Sequence, residues 1–80
     1  MINYDGLPES LHGGMRRYIE DHIETGGFLR AVLSNDLRLA LVFADSDNLR
    51  DLYAIVSWVY NEAPGNCWGS PAKVAAWIAR

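Results

Sequence analysis

Leu37-Arg38-Leu39-Ala40-Leu41-Val42-Phe43-Ala44 decides the fold class of this chain. Its apolar residues fit two periods at once. Leu37, Ala40, Leu41 and Ala44 lie on one face of a helix, while Leu37, Leu39, Leu41 and Phe43 alternate as a strand would. A strand here has no obvious mate elsewhere in the sequence, so the segment is read as helix and the chain as all-α. Its apolarity on several sides points to burial at a contact between subunits, with Leu39 and Phe43 as interface residues.

Upstream, Phe28, Leu29, Val32 and Leu33 predict a helix of two turns, closed by Ser34-Asn35-Asp36, whose short polar side chains break or cap helices. Further back, Leu11, Met15, Tyr18, Ile19, His22 and Ile23 recur at helical spacing. That helix starts at Leu7-Pro8-Glu9, with proline in the first turn and an acid beside the positive dipole end. It stops at Glu24-Thr25-Gly26-Gly27. Gly13-Gly14 inside it costs up to about 1 kcal/mol per glycine relative to alanine, which suggests close approach of another backbone. Residues 1–6 show no periodicity and read as a short arm.

Downstream, Asp45-Ser46-Asp47-Asn48 offers several N-cap residues ahead of the longest predicted helix. Leu49, Leu52, Tyr53, Val56, Val59 and Tyr60 form its expected core stripe, with Ile55 and Trp58 to one side. Trp58 is therefore placed at an interface. The helix ends before Pro64. Ser70-Pro71 then starts a last helix, serine capping and proline in the first helical position, with Val74, Trp77 and Ile78 on its apolar edge. The expectation is a compact bundle of four to five short helices forming a single domain over residues 1–80.

Between the last two helices lies Ala63-Pro64-Gly65-Asn66-Cys67-Trp68-Gly69. A connector needs no indole, so Trp68 either plugs the core or is displayed to a partner, and the sequence leaves both open. Cys67 reads as a small buried hydrophobe.

Eighty residues bury only about 60% of the surface that the unfolded chain exposes. One cysteine excludes an internal disulfide, and no His/Cys cluster has metal-ligand spacing. Half of the residues are hydrophobic and nine are aromatic (three Trp, four Tyr, two Phe). That excess implies a homo-oligomer. Seven basic against ten acidic residues, net −3, leave no electrostatic footprint for a nucleic-acid duplex. No apolar run approaches the roughly 20 residues of a membrane span, and the start lacks the pattern of a signal peptide, so a cytoplasmic location is expected.

Catalysis has little to stand on. Nucleophilic chemistry would need Cys67 beside a base, but His22 falls on the apolar stripe and His12 flanks it. The chain is read as no enzyme and without cofactors. Binding is the better prospect. Arg17 adjoins Tyr18, and an arginine beside a ring clamps phosphate and stacks on a base, although Arg16 and Arg17 also have Glu20 and Asp21 at i, i+4. Asn35 and Asn61 carry hydrogen-bonding groups next to apolar runs, with capping as the alternative. Trp68 and Trp58 offer stacking area. The candidate ligand-binding set is Arg17, Tyr18, Asn35, Asn61 and Trp68.

Three strings together, Met15-Arg16-Arg17-Tyr18-Ile19-Glu20, Gly27-Phe28-Leu29-Arg30-Ala31-Val32-Leu33-Ser34-Asn35-Asp36-Leu37, and Val59-Tyr60-Asn61-Glu62-Ala63-Pro64 with Cys67-Trp68-Gly69-Ser70-Pro71, resemble a family of small proteins encoded by tailed phages and prophages of Gram-negative bacteria. The likeness runs from about Leu7 to Trp77. The chain departs from it in being unusually apolar from Leu37 to Phe43. The resemblance implies a phage accessory protein in the cytoplasm of the host bacterium that acts by occupancy against host defence. Its sharpest form is an oligomeric sponge for a nucleotide immune signal. The alternative is an inhibitor of a host protein, anti-CRISPR-like, working through an exposed aromatic and apolar patch.

Overall fold

The computed structural model describes residues 2–80 and contains six helices, with no strand among the described residues: α1 (Glu9–Asp21), α2 (Gly27–Leu33), α3 (Leu37–Phe43), α4 (Ser46–Arg50), α5 (Leu52–Glu62) and α6 (Pro71–Ile78). The all-α reading holds, and the 37–44 segment is helical. The helix count exceeds the four or five expected, for a reason visible at Asp45 and Asp51. Asp45 accepts from the Asn48 N–H at 2.8 Å while the Asn48 side chain accepts from the Asp45 N–H at 3.2 Å, a reciprocal cap that starts α4 on its own. Asp51, at φ −100° and ψ 9°, then leaves helical geometry before α5 begins.

The long helix also turns a different side to the core from the one expected. The stripe read through Leu49, Leu52, Tyr53, Val56, Val59 and Tyr60 assumed one continuous helix from Leu49 onward. The face that enters the core is instead Ile55, Trp58 and Val59, flanked by half-buried Leu52 and Val56, while Tyr53 is 86% exposed and Tyr60 58%. Trp58, expected at an interface, is buried. Its ring stacks on Tyr4 with 5.5 Å between centroids, and its Nε1 donates to the Asn3 carbonyl at 2.8 Å. The arm before α1 is thus tied to the core, with Tyr4 and Leu7 inside it.

α1 buries Met15, Tyr18 and Ile19. It ends earlier than expected, at Asp21, because His22 adopts the left-handed conformation (φ 58°) and turns the chain. Ile23 consequently leaves the stripe and is half exposed. No backbone crosses α1 at its glycines. A Cβ on Gly14 would lie 3.5 Å from Leu29 Cδ1, and one on Gly13 would lie 3.2 Å from the Arg17 guanidinium. Small residues there admit side chains, not a chain crossing.

α2 closes through Asn35 (φ 60°): the Asp36 N–H returns to the Ala31 carbonyl at 2.9 Å and the Asn35 N–H to Val32 at 3.0 Å, which satisfies carbonyls left open at the helix end. Asp36 then caps α3 through the Leu39 N–H at 3.1 Å. Ser70 caps α6 through the Lys73 N–H at 3.1 Å with Pro71 behind it, as the sequence predicts. Met15, Tyr18, Leu33, Ile55, Val59, Cys67 and Val74 form the fully buried centre of one core.

The α5 register has a measurable consequence. Ile55→Ala, removing a side chain that is fully buried, is expected to cost about 2–5 kcal/mol in urea unfolding. Tyr53→Ala should stay within about 0.5 kcal/mol of wild type. The reverse ranking would restore the continuous-helix stripe.

Candidate functional site

The loop between α5 and α6 is fixed to the body of the protein at both of its halves. Pro64 opens it, and the Cys67 N–H closes a turn on the Pro64 carbonyl at 3.0 Å. The Cys67 carbonyl accepts from the buried Tyr18 hydroxyl of α1 at 2.5 Å. Two residues on, the Gly69 N–H donates to the Leu33 carbonyl at the end of α2, at 2.7 Å. Gly69 sits at φ +120°, a backbone conformation that residues with a Cβ rarely adopt. These two anchors fix the backbone on either side of Trp68.

Trp68 is half-buried. It packs against the core on one side and meets the Tyr60 ring on the other, 4.6 Å between centroids and tilted by 54°. The Tyr60 hydroxyl donates to Asn35 Oδ1 at 3.4 Å. Asn35, Tyr60 and Trp68 therefore form one surface platform where the end of α2, the end of α5 and the pinned loop meet. Of the two readings left open for Trp68, the plug is the one its packing favours: the core takes one side of the indole and Tyr60 the other, and the smaller part of its surface stays open.

Of the five residues read as ligand-binding, Asn35 and Trp68 come together here. Tyr60, which joins them, is expected in a core stripe; it instead lies on the flank of α5 away from Ile55 and Trp58 and is exposed. Asn61 follows Tyr60 but its amide donates back to the Ser57 carbonyl at 2.9 Å. It lines a shallow cleft with Asn3, Gly6, Trp58 and Glu62 between the arm and α5. Arg17 is exposed on α1, with its guanidinium over Gly13. Tyr18 is wholly buried, so it is a core residue and offers no ring to a ligand. The set does not converge in one pocket. Of the interface residues, Leu39 (42%) and Phe43 (53%) are exposed, and the Phe43 ring rests on Gly27, where a Cβ would come within 3.2 Å. Trp58 is the exception described above.

The groups that could do chemistry are occupied. His22 Nδ1 lies 2.9 Å from the Trp77 carbonyl, so it donates there, and His12 Nε2 lies 2.8 Å from that of Leu7. Burial pushes the Cys67 thiol up to about 11, away from the thiolate a nucleophile needs. Among the described residues no three His, Cys, Asp or Glu side chains gather to hold a metal.

Tyr4 is likewise pushed up to about 12, by burial first and then by its hydrogen bond to Glu20, and Tyr18 is raised further, again chiefly by burial. In each case the folded state holds the proton more tightly than the unfolded one. The associated stability is complete at neutral pH and is lost as pH rises, from about 9 to 11 for Cys67 and from about 10 to 12 for Tyr4. Urea stability should accordingly fall above pH 9. Tyr18→Phe should leave the Cys67 carbonyl without its buried donor, at about 1–3 kcal/mol at pH 7, and should flatten the alkaline loss. A profile level up to pH 12 would contradict this assignment.

No known protein family, curated protein or solved structure matches this chain.

Proposed function

We propose that this chain is a phage- or prophage-encoded binding protein, without catalytic activity, that counters host defence by occupying a host protein through the Asn35–Tyr60–Trp68 platform. The observation that carries the reading is that Trp68, partly buried against the core, lies on a loop anchored to both α1 and α2 and beside the exposed Tyr60. Tryptophan and tyrosine dominate the energetic centres of protein interfaces, and a surface already rigid before contact loses little entropy on binding. The phage setting rests on the resemblance of the Met15–Glu20, Gly27–Leu37 and Val59–Pro71 strings.

Sequestration of a nucleotide fits less well. It called for Arg17 and Tyr18 beside Asn35 and Trp68, and Tyr18 lies in the core while the exposed Arg17 side chain lies over Gly13. A protein surface asks only for the platform itself.

The test uses cells that carry a phage-defence system and express the chain. Wild type should restore plating of a sensitive phage, and Tyr60→Ala, with an unchanged melting temperature, should not. Loss of one such anchor typically costs 2 kcal/mol or more, roughly thirtyfold in affinity. Full activity of Tyr60→Ala would sink the platform. A nucleotide that raised the melting temperature in a thermal-shift panel would instead return sequestration to first place, since a ligand of the native state must stabilise it.

A further inference from the structure

The indole N–H groups of the three tryptophans are not equivalent. That of Trp58 donates to the Asn3 carbonyl at 2.8 Å, and that of Trp77 to the Tyr18 carbonyl at 2.9 Å. The Trp68 N–H donates to no described residue. Among the described residues Thr25 Oγ1 is the one polar side-chain atom both sealed from solvent and without a partner, so the Trp68 N–H reaches the surface. The open edge of that indole carries a free donor.

Its neighbour leaves the same kind of group open. The Tyr60 hydroxyl spends its hydrogen on Asn35 Oδ1 at 3.4 Å. That contact leaves the amide nitrogen of the exposed Asn35, with its two N–H groups, free for a partner. Asp36, next in the chain, directs a carboxylate oxygen to the Leu39 N–H. The side chains of the platform thus offer mainly donors, set beside two rings that meet at 54° instead of stacking flat.

A partner must answer that pattern. An ordinary extended segment brings a backbone N–H for every carbonyl, and each N–H pressed against donors gives up water for nothing. Proline brings a carbonyl and no N–H. In a polyproline II helix the carbonyls make no internal hydrogen bonds, and the pyrrolidine rings pack on aromatic side chains. We infer that the partner meets the platform through a proline-rich segment in this conformation. Its prolines lie against the Trp68 and Tyr60 rings, and its carbonyls accept from Trp68 Nε1 and Asn35 Nδ2. The inference rests on the binding role proposed above for the platform and adds the chemistry of what is bound. Such a segment is stiff before contact, so ordering it costs little. The contact is small, and binding is accordingly weak and quickly reversed.

The test is a titration of isotope-labelled protein with a polyproline peptide, followed by NMR. The indole N–H resonance of Trp68, identified by its absence in Trp68→Phe, should shift saturably. Those of Trp58 and Trp77, already bonded to carbonyls, should stay in place. A glycine-serine peptide of equal length should move none of the three. Tyr60→Ala, with an unchanged melting temperature, should bind at least about tenfold more weakly. Trp68→Phe keeps a ring and loses the N–H, and should bind about fivefold more weakly, read from the Asn35 side-chain amide. An unmoved Trp68 resonance, an equal response to the glycine-serine peptide, or undiminished binding by both variants would overturn the inference. The plating assay separates it from the reading beneath it. Failure of Tyr60→Ala to restore plating, with no response to polyproline, would discard the proline-rich partner and keep the platform. Polyproline binding with full plating by Tyr60→Ala would keep the site and discard its role against host defence.

Discussion

The Tyr18 hydroxyl donates to the carbonyl of Cys67, forty-nine residues away, while the Tyr18 carbonyl accepts from the Trp77 indole N–H at 2.9 Å. One residue of α1 thereby holds the α5–α6 loop with its side chain and α6 with its backbone. Both bonds are buried, where an unmet partner costs the full desolvation of the group left behind. Trp68 is next in sequence to Cys67, so its position follows from that anchor, and the platform it makes with Tyr60 and Asn35 follows from Trp68. Remove the Tyr18 bond and the loop loses its one buried hydrogen bond to α1, keeping the Gly69 bond to Leu33, the Lys73 bond to the Gly65 carbonyl and the packing of Cys67 and Trp68.

The same device recurs wherever irregular chain has to be fastened. The Trp58 indole N–H takes the Asn3 carbonyl, the Tyr4 hydroxyl takes the Glu20 carboxylate, and His22 takes the Trp77 carbonyl with its ring 4.4 Å from the indole. Aromatic side chains with a polar tip serve two purposes, burying large area and supplying a donor at the edge of the core. In a chain of 80 residues with one cysteine, they do the fastening that disulfides perform in other small domains. This accounts for much of the aromatic content. Tyr4, Tyr18, Trp58 and Trp77 are buried as structural anchors, and the inference from aromatic content to a binding surface narrows to Tyr53, Tyr60, Trp68 and Phe43.

Local signals carried the helices well and the faces less well. Ser70-Pro71 and Asp36 cap where a capping residue should, and the apolar runs at 28–33 and 37–43 are helical. The errors share a cause. His22 and Asp51 both change the direction of the chain through backbone angles; each sits inside an apolar-periodic run that reads as continuous helix, although aspartate is a common turn residue. On α5 the stripe widens to one side only: from Leu52, Val56 and Val59 the core extends over Ile55 and Trp58, while Tyr53 and Tyr60 on the other flank face water. The candidate site suffered for the same reason. Asn35 and Trp68 were identifiable as polar or aromatic residues beside breaks in helices, but their meeting depends on Tyr60 and on contacts far apart in sequence. Tyr18 looked like a ligand residue because Arg17 precedes it, yet adjacent residues on a helix point about 100° apart. One faces water and the other the core.

The two open surfaces differ in how they are held, and that difference argues for separate roles. The platform is preorganised in its backbone: Cys67 and Gly69, on either side of Trp68, are hydrogen-bonded to α1 and α2, and Asn35 is fixed by a left-handed turn with two returning N–H bonds. Such a surface has little backbone entropy left to lose. α3 has no comparable anchors. Its N-terminus is capped by Asp36, its C-terminus runs into the cap of α4, and between them its apolar side chains lie on α2 or in solvent. Its order is therefore coupled to whatever covers it.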